Sequence, residues 1–185
     1  KAFLSNTWET KDISANLQAS PDNTKAFVSI EVEKKPEFVA EELSIGETYI
    51  IPDLCEFTVN YSELKKEVTP LNPKGYYTYY PEEDGKTYID LSISIKNTRT
   101  TRRNADQFGI VKAICGDGYE YNGFSTIEES NGSNFTYTNI TDVDPLETAT
   151  IHYLNSIPNE LADDNTIPIK LEITILNQNY ILNMR

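Results

Sequence analysis

The chain has 185 residues, with 29 acidic against 16 basic side chains and a formal net charge of −13. Such a balance excludes nucleic acid as a partner, because phosphate binding needs clustered Lys and Arg. One His and two Cys exclude two-histidine chemistry and a structural zinc site built from these residues alone. Neither a metal nor a cofactor is expected. The length suits one large domain, or a domain with an extension.

In chain order, residues 1–24 hold Leu4, Trp8 and Leu17 without clean periodicity. Lys25 to Glu33 alternates through Val28, Ile30 and Val32, which predicts one strand. Lys34 to Ser44 reads as a helical turn or a linker, and Pro36 breaks any continuous element. Residues 1–43 are therefore assigned to an N-terminal extension or linker with one added strand over 25–33. From residue 44 the vocabulary is that of strands. Cys55, Phe57, Val59 and Tyr61 alternate with Glu56, Thr58 and Asn60. Tyr88 to Asn97 sets Ile89, Leu91, Ile93 and Ile95 on one face and Asp90, Ser92, Ser94 and Lys96 on the other. Ile110 to Cys115 is a shorter run. Thr148 to Leu154 alternates through Ala149, Ile151 and Tyr153, and Lys170 to Leu176 through Leu171, Ile173 and Ile175. Asp84-Gly85, Asp117-Gly118, Asn122-Gly123 and Asn131-Gly132 read as tight turns, and Asn177-Gln178-Asn179 as a last hairpin. Eight or nine short strands without a long helical stripe predict an all-β sandwich or barrel.

The order of several short motifs carries a resemblance. Gly46-Glu47-Thr48-Tyr49-Ile50 opens the first strand, followed by Cys55-Glu56-Phe57-Thr58-Val59. Gly85-Lys86-Thr87-Tyr88 starts a long strand that ends in Ile95-Lys96-Asn97-Thr98, and Pro145-Leu146-Glu147-Thr148 precedes the penultimate strands. Over roughly residues 44–185 this resembles the telokin-like, immunoglobulin-like domain family of unknown function. Members of that family occur on surface lipoproteins and membrane-anchored proteins of Gram-positive bacteria. The resemblance implies an immunoglobulin-like β-sandwich, telokin-like, without catalytic residues to carry over. It also implies an extracellular location, anchored to the cell surface as a lipoprotein or through a single membrane span. The chain begins at Lys1, which reads as a trimmed fragment whose anchor has been removed, so a membrane enters only through that absent anchor.

Candidate site residues are few, and each has a structural alternative. Cys55 and Cys115 form either an inter-sheet disulfide of an exported domain or two separate buried thiols. No Trp lies between them, and Ala113 stands where a tyrosine corner needs Tyr, which sets the chain apart from antibody-type domains. His152 falls at an outward position of its alternation and reads as a surface histidine. Tyr76, Tyr77, Tyr79 and Tyr80 are the candidate ligand-binding residues. They form either a stacking platform for sugar rings or a strand with Tyr77 and Tyr79 on one face and Tyr76 and Tyr80 on the other. Asp142, Asp144, Asp163 and Asp164 lack EF-hand spacing and read as surface charge. Arg99, Arg102 and Arg103 form the sole basic cluster, in a solvated loop. Asn60, Asn131, Asn134 and Asn139 stand in Asn-x-Ser/Thr sequons, which carry no meaning in a bacterial protein. The expected function is a non-catalytic interaction or adhesion module for an unidentified protein or glycan, with a carbohydrate-binding module as the alternative. Charge is uneven: residues 111–185 hold 11 acids against 3 bases, while residues 44–110 hold 10 against 8. The balanced half, with the tyrosines and the arginines, is where binding is expected.

Overall fold

The structure, a computed structural model, describes the backbone of residues 13–19 and 26–32 and the whole of residues 40–185. It divides into two compact units, Lys1–Val39 and Ala40–Arg185. In the first, β1 (Ile13–Ala19) and β2 (Ala26–Val32) pair antiparallel, with Ile13 opposite Val32 and Ala19 opposite Ala26. The sequence reading places β2 and misses β1, although Ile13, Ala15, Leu17 and Ala19 alternate with Ser14, Asn16 and Gln18. Trp8 and most of the Lys34–Ser44 stretch lie outside the described residues.

The second unit opens with β3 (Glu41–Glu42), β4 (Thr48–Ile51), β5 (Cys55–Lys65), β6 (Lys86–Asn97) and β7 (Arg103–Asn104). These are followed by β8 (Gly109–Cys115), β9 (Tyr119–Asn122), β10 (Phe124–Glu128), β11 (Phe135–Tyr137) and β12 (Asp142–Val143). It closes with β13 (Thr148–Pro158), the five-residue helix α1 (Asn159–Asp163), β14 (Ile169–Ile175) and β15 (Gln178–Asn183). Six strands form one sheet in the order β11-β10-β13-β6-β5-β4, and five form a second in the order β3-β15-β14-β8-β9. The unit starts before Ser44 because Glu41 and Glu42 pair with Tyr180 and Ile181, and Leu43 is buried.

The two sheets make a β-sandwich. Phe57, Val59, Ile89, Leu91, Ile93 and Ile95 from the first face Val111, Ala113, Leu171, Ile173 and Ile175 from the second, and all are buried. Period-2 alternation aims these side chains at the shared core. The β14–β15 hairpin turns on Leu176 and Asn177, both at positive φ, as a two-residue type I′ loop requires. Asn122-Gly123 departs from the expected tight hairpin. It is the point where the chain passes from the second sheet (β9) to the first (β10). A Cβ on Gly123 would lie 2.5 Å from the Leu154 carbonyl oxygen, so the crossing accepts only glycine.

A further departure concerns the outer face of the six-stranded sheet. Asp90, Ser92 and Tyr88 stand on the face opposite the sandwich core, yet all three are buried. A strap formed by residues 66–85 crosses that face, held by an antiparallel bridge between Val68 and Tyr80. Val68, Tyr80, Tyr88, Phe135 and Leu154 make a second, smaller apolar cluster beneath it. In the main core, the Tyr153 hydroxyl is fully enclosed and has no hydrogen-bond partner. Burial, and then the nearby Cys55 thiol, push its pKa up, so it is a neutral, unsatisfied donor. Tyr153→Phe is expected to raise stability by about 1 kcal/mol, read as a shift of the urea midpoint, because it removes only the unpaired group.

Candidate functional site

The most polar buried cluster lies under the strap, and a single irregularity in β5 creates it. The register of β5 on β6 shifts between Val59 and Tyr61, leaving Asn60 as the extra residue of a bulge. A one-residue slip exchanges the faces of a strand. Tyr61, expected on the same face as Cys55, Phe57 and Val59, therefore joins Glu63 and Lys65 on the outer face, while Ser62 and Leu64 pair opposite the core residues Leu91 and Ile89. Tyr61 lies opposite Ser92 and Glu63 opposite Asp90. On the far side of β6, β13 sets His152 opposite Ser92, and β10 sets Glu128 opposite Thr150.

Asp90 is the hub and is fully buried. Its Oδ1 lies 2.8 Å from His152 Nδ1. Its Oδ2 accepts from Lys65 Nζ at 2.8 Å and from the Tyr61 hydroxyl at 3.0 Å. Burial alone would raise the Asp90 pKa, but the hydrogen bond and charge of His152, and then of Lys65, outweigh it and hold the carboxyl below its ordinary value. Burial opposes the Lys65 charge as well, yet the bond and charge of Asp90 hold its ammonium above the ordinary lysine value. The Tyr61 hydroxyl is pushed up to about 12, by burial first and by Asp90 second, so it stays a neutral donor.

His152 corrects the sequence expectation. Its outward position is as read, but it is 3 % exposed, because the strap and β11 cover that face. The edges of Tyr61 and Phe135 flank its ring at centroid distances of 6.1 and 5.1 Å. A carboxylate can only accept, so Nδ1 carries the proton shared with Asp90. Nε2 then faces away from Asp90, without a hydrogen-bond partner, 4.0 Å from Glu128 Oε2. The other Glu128 oxygen, Oε1, accepts from the backbone N–H of Leu71 on the strap.

Tyr61, Lys65, Glu128 and His152, with Asp90 buried behind them, floor a cleft of about 500 Å3 whose walls include Asn60, Glu63, Thr69, Leu71, Ser92 and Thr150. A second cleft of about 460 Å3 shares Leu71, Glu128 and Thr150 with it and adds Glu129, Asp142 and Glu147. Together they form a groove along the outer face of the sheet, lined by carboxylates. The sequence missed Asp90 and Glu128 as site residues. Its one available signal was a carboxylate set among the apolar residues of the longest strand.

The tyrosines do not form the expected strand. Residues 76–79 are irregular, Tyr76 and Tyr79 are exposed, and Tyr77 and Tyr80 are half-buried. Tyr77 and Tyr79 meet at 57° between ring planes, so these two do not form a flat platform, and Tyr80 packs on Phe124 and Phe135. Cys55 and Cys115 are free buried thiols, which corrects the disulfide reading. Cys55 follows Leu54, which lines a shallow cleft together with Gly109 and Leu176 at one end of the second sheet. Cys115 ends β8 six residues further on, and at about 3.3 Å per residue that places the sulfurs far beyond bridging reach. Burial pushes the Cys55 thiol up to about 11 and raises that of Cys115, so neither is a ready nucleophile.

The charged turns pair with each other. Arg102 lies 3.3 Å from Asp144 and 3.7 Å from Asp142, and Arg103 donates to the Gln107 carbonyl beside the Phe108 ring. Asp164 accepts from the backbone and hydroxyl of Thr166 within its own turn. Among the described residues, no group of three or more His, Cys, Asp or Glu side chains is placed to hold a metal ion.

No family model matches the sequence, and no curated protein does. Two solved structures are similar. An uncharacterized β-sandwich protein from Clostridium difficile 630 is 35 % identical, with a TM-score of 0.76 over 83 % of this chain and 100 % of that one. A conserved hypothetical protein from Bacillus anthracis is 15 % identical, with a TM-score of 0.50 over 77 % of this chain and 94 % of that one, and shares the fold. The chain belongs to the family of the Clostridium difficile β-sandwich protein.

Proposed function

We propose that this protein is a non-catalytic, extracellular ligand-binding module of a bacterial cell-surface protein, and that its ligand sits in the cleft above Asp90 and His152. The motif order over residues 44–185 supports the telokin-like, immunoglobulin-like and surface-anchored part of the reading. The observation that carries the binding part is the charged cluster beneath the strap. Taking charges out of water costs several kcal/mol per ion, and an apolar face would hold the strap at least as well. Such a cluster at the floor of a cleft marks a functional site. Two features favour binding over catalysis. His152 Nε2 has no hydroxyl or thiol within hydrogen-bond reach to activate, and Asp90 is paired with the Lys65 ammonium and engaged by the Tyr61 hydroxyl and His152 Nδ1.

Thr150 lines both halves of the groove from a half-exposed strand position, so Thr150→Trp should fill it without touching the core. Screened on protein and glycan arrays, the wild type should retain a ligand that the Thr150→Trp variant binds at least ten-fold more weakly. Equal binding by the variant, or none by the wild type, would sink the cleft reading. Antibody labelling of intact cells tests the location; labelling only after lysis would overturn it.

A carbohydrate-binding reading rests on the exposed Tyr76 and Tyr79 rings at the strap's tip. Its mark would be a glycan lost on Tyr76→Ala and Tyr79→Ala but kept by Thr150→Trp.

A further inference from the structure

We infer that His152 and Glu128 form a proton-operated latch on the strap, closed while the pair holds a proton and released when it loses it. The latch regulates entry to the proposed cleft, and in that respect rests on that reading. A line of contacts runs from the buried cluster to the strap. Asp90 Oδ1 lies 2.8 Å from His152 Nδ1, His152 Nε2 lies 4.0 Å from Glu128 Oε2, and Glu128 Oε1 accepts from the Leu71 N–H. Nε2 has almost no accessible surface, so water does not reach it. The Glu128 side chain is itself 10 % exposed. Among the described residues no Lys or Arg lies within 4.0 Å of it, and Lys65 is engaged with Asp90 and Glu63. His152 is therefore the counter-charge within its reach.

One proton decides the state of the pair. On Nε2, or shared between Nε2 and Oε2, it gives the buried carboxylate a partner. Without it, two acceptors face each other where no water separates them, and a buried unpaired carboxylate is costly. Glu128 relieves that cost by turning into the groove it lines, where it is hydrated, and it then no longer accepts from Leu71. The titratable groups around the ring are Asp90 from β6, Tyr61, Glu63 and Lys65 from β5, Glu128 from β10, and Tyr80 from the strap, which packs on the Phe135 ring beside His152. Asp90 and Lys65 hold opposite charges through neutral pH, and burial raises Tyr61 and Tyr80, which stay neutral there. Glu63 lies 3.3 Å from the Lys65 ammonium.

The strap is held so that this one acceptor matters. Its ends are fixed, since Val68 is buried and exchanges two backbone hydrogen bonds with Tyr80. Between them, three backbone N–H groups pin it to β10 and the loop that follows. Leu71 donates to Glu128 Oε1, Asn72 to the Gly132 carbonyl at 2.7 Å, and Thr78 to Asn134 Oδ1 at 2.8 Å. Of these three acceptors, the Glu128 carboxylate is the one that ionises. Leu71 lines both halves of the groove, so its release opens the passage between them. A buried histidine beside a movable segment is a common form of pH sensor.

His152 is the single histidine of the chain, so its ring resonances report its protonation without ambiguity. The test follows them by NMR in the whole chain between about pH 4 and about pH 9. Hydrogen-exchange protection of the strap amides, corrected for the intrinsic rate, is read over the same range. The expected result is that Leu71 protection falls by at least about ten-fold as the pH rises through the His152 midpoint, while Val68 and Tyr80 stay protected. Glu128→Gln should fold, because its amide oxygen keeps the Leu71 bond, and its Leu71 protection should not follow His152. A His152 ring that does not titrate in that range overturns the latch. So does a Leu71 transition with a different midpoint, or one of unchanged size in Glu128→Gln. If Leu71 follows His152 while Thr150→Trp keeps the array ligand, the latch stands and the cleft reading falls. If Thr150→Trp loses that ligand while Leu71 ignores His152, the cleft reading stands and the latch falls.

Discussion

Asp90→Ala is expected to lower the unfolding free energy by about 3–5 kcal/mol, the largest loss of any single substitution in the cleft. The change leaves His152 Nδ1, the Tyr61 hydroxyl and the Lys65 ammonium without their common acceptor, on a face the strap closes. Urea unfolding followed by the fluorescence of the tyrosines measures it, and a loss below 1 kcal/mol would show that solvent already screens the cluster. The contrast is the triple replacement Lys65→Met, Asp90→Leu, His152→Leu. Exchanging a buried ionic cluster for apolar side chains is commonly neutral, or stabilising by about 1–4 kcal/mol. A triple variant as stable as the wild type but unable to bind would show that the cluster is kept for its ligand.

The same cluster contributes to the loss of stability in acid and in alkali. The Asp90 carboxyl is held below its ordinary value of 3.8 in the folded protein. Its contribution is therefore complete above that pH and is lost as the pH falls through the lower folded value. Lys65 is held above its ordinary 10.5, so its contribution is complete below that pH and is lost as the pH rises further. Between these limits the pair adds a constant amount. Unfolding curves of wild type and Asp90→Asn should run parallel through neutral pH and converge in acid; divergence there would place the acid-sensitive group elsewhere.

Asn155→Ala is the second large effect, at about 3 kcal/mol. Asn155 is fully buried on β13 and its Nδ2 donates to the carbonyls of Val111, at 3.2 Å, and Tyr121, at 2.8 Å. Both acceptors belong to the opposite sheet, so this amide ties the two layers where the chain crosses at Gly123. Each bond is worth about 1 kcal/mol, and carbonyls left dry without a donor cost about 1–3 kcal/mol more. Chemical denaturation reads the loss directly. Hydrogen exchange should show Tyr119–Asn122 opening first, and an unchanged exchange pattern would mean that the edge strand is held by its backbone pairing alone.

The sequence by itself determined the long regular strands and the inner faces of those without a bulge. Ile89, Leu91, Ile93 and Ile95, and likewise Leu171, Ile173 and Ile175, repeat every second residue, and a period of two is a local property that a pleated strand converts into one buried side. It determined the last hairpin near Asn177 for the same reason, and from the strands the all-β sandwich. It left open what lies over the other side. The outward position of His152 was legible, but its burial was not, because the strap that covers it comes from residues 66–85, distant in sequence and without periodicity of its own. The bulge at Asn60 was equally hidden. A single unpaired residue leaves the local alternation of β5 intact and shows itself only against the register of β6. The cysteines, 60 residues apart, could be placed on strands but not on the same end of the sandwich. The elements are thus set by neighbours along the chain. The site at Asp90, His152 and Glu128 is set by neighbours across three strands, and only the tertiary structure brings those together.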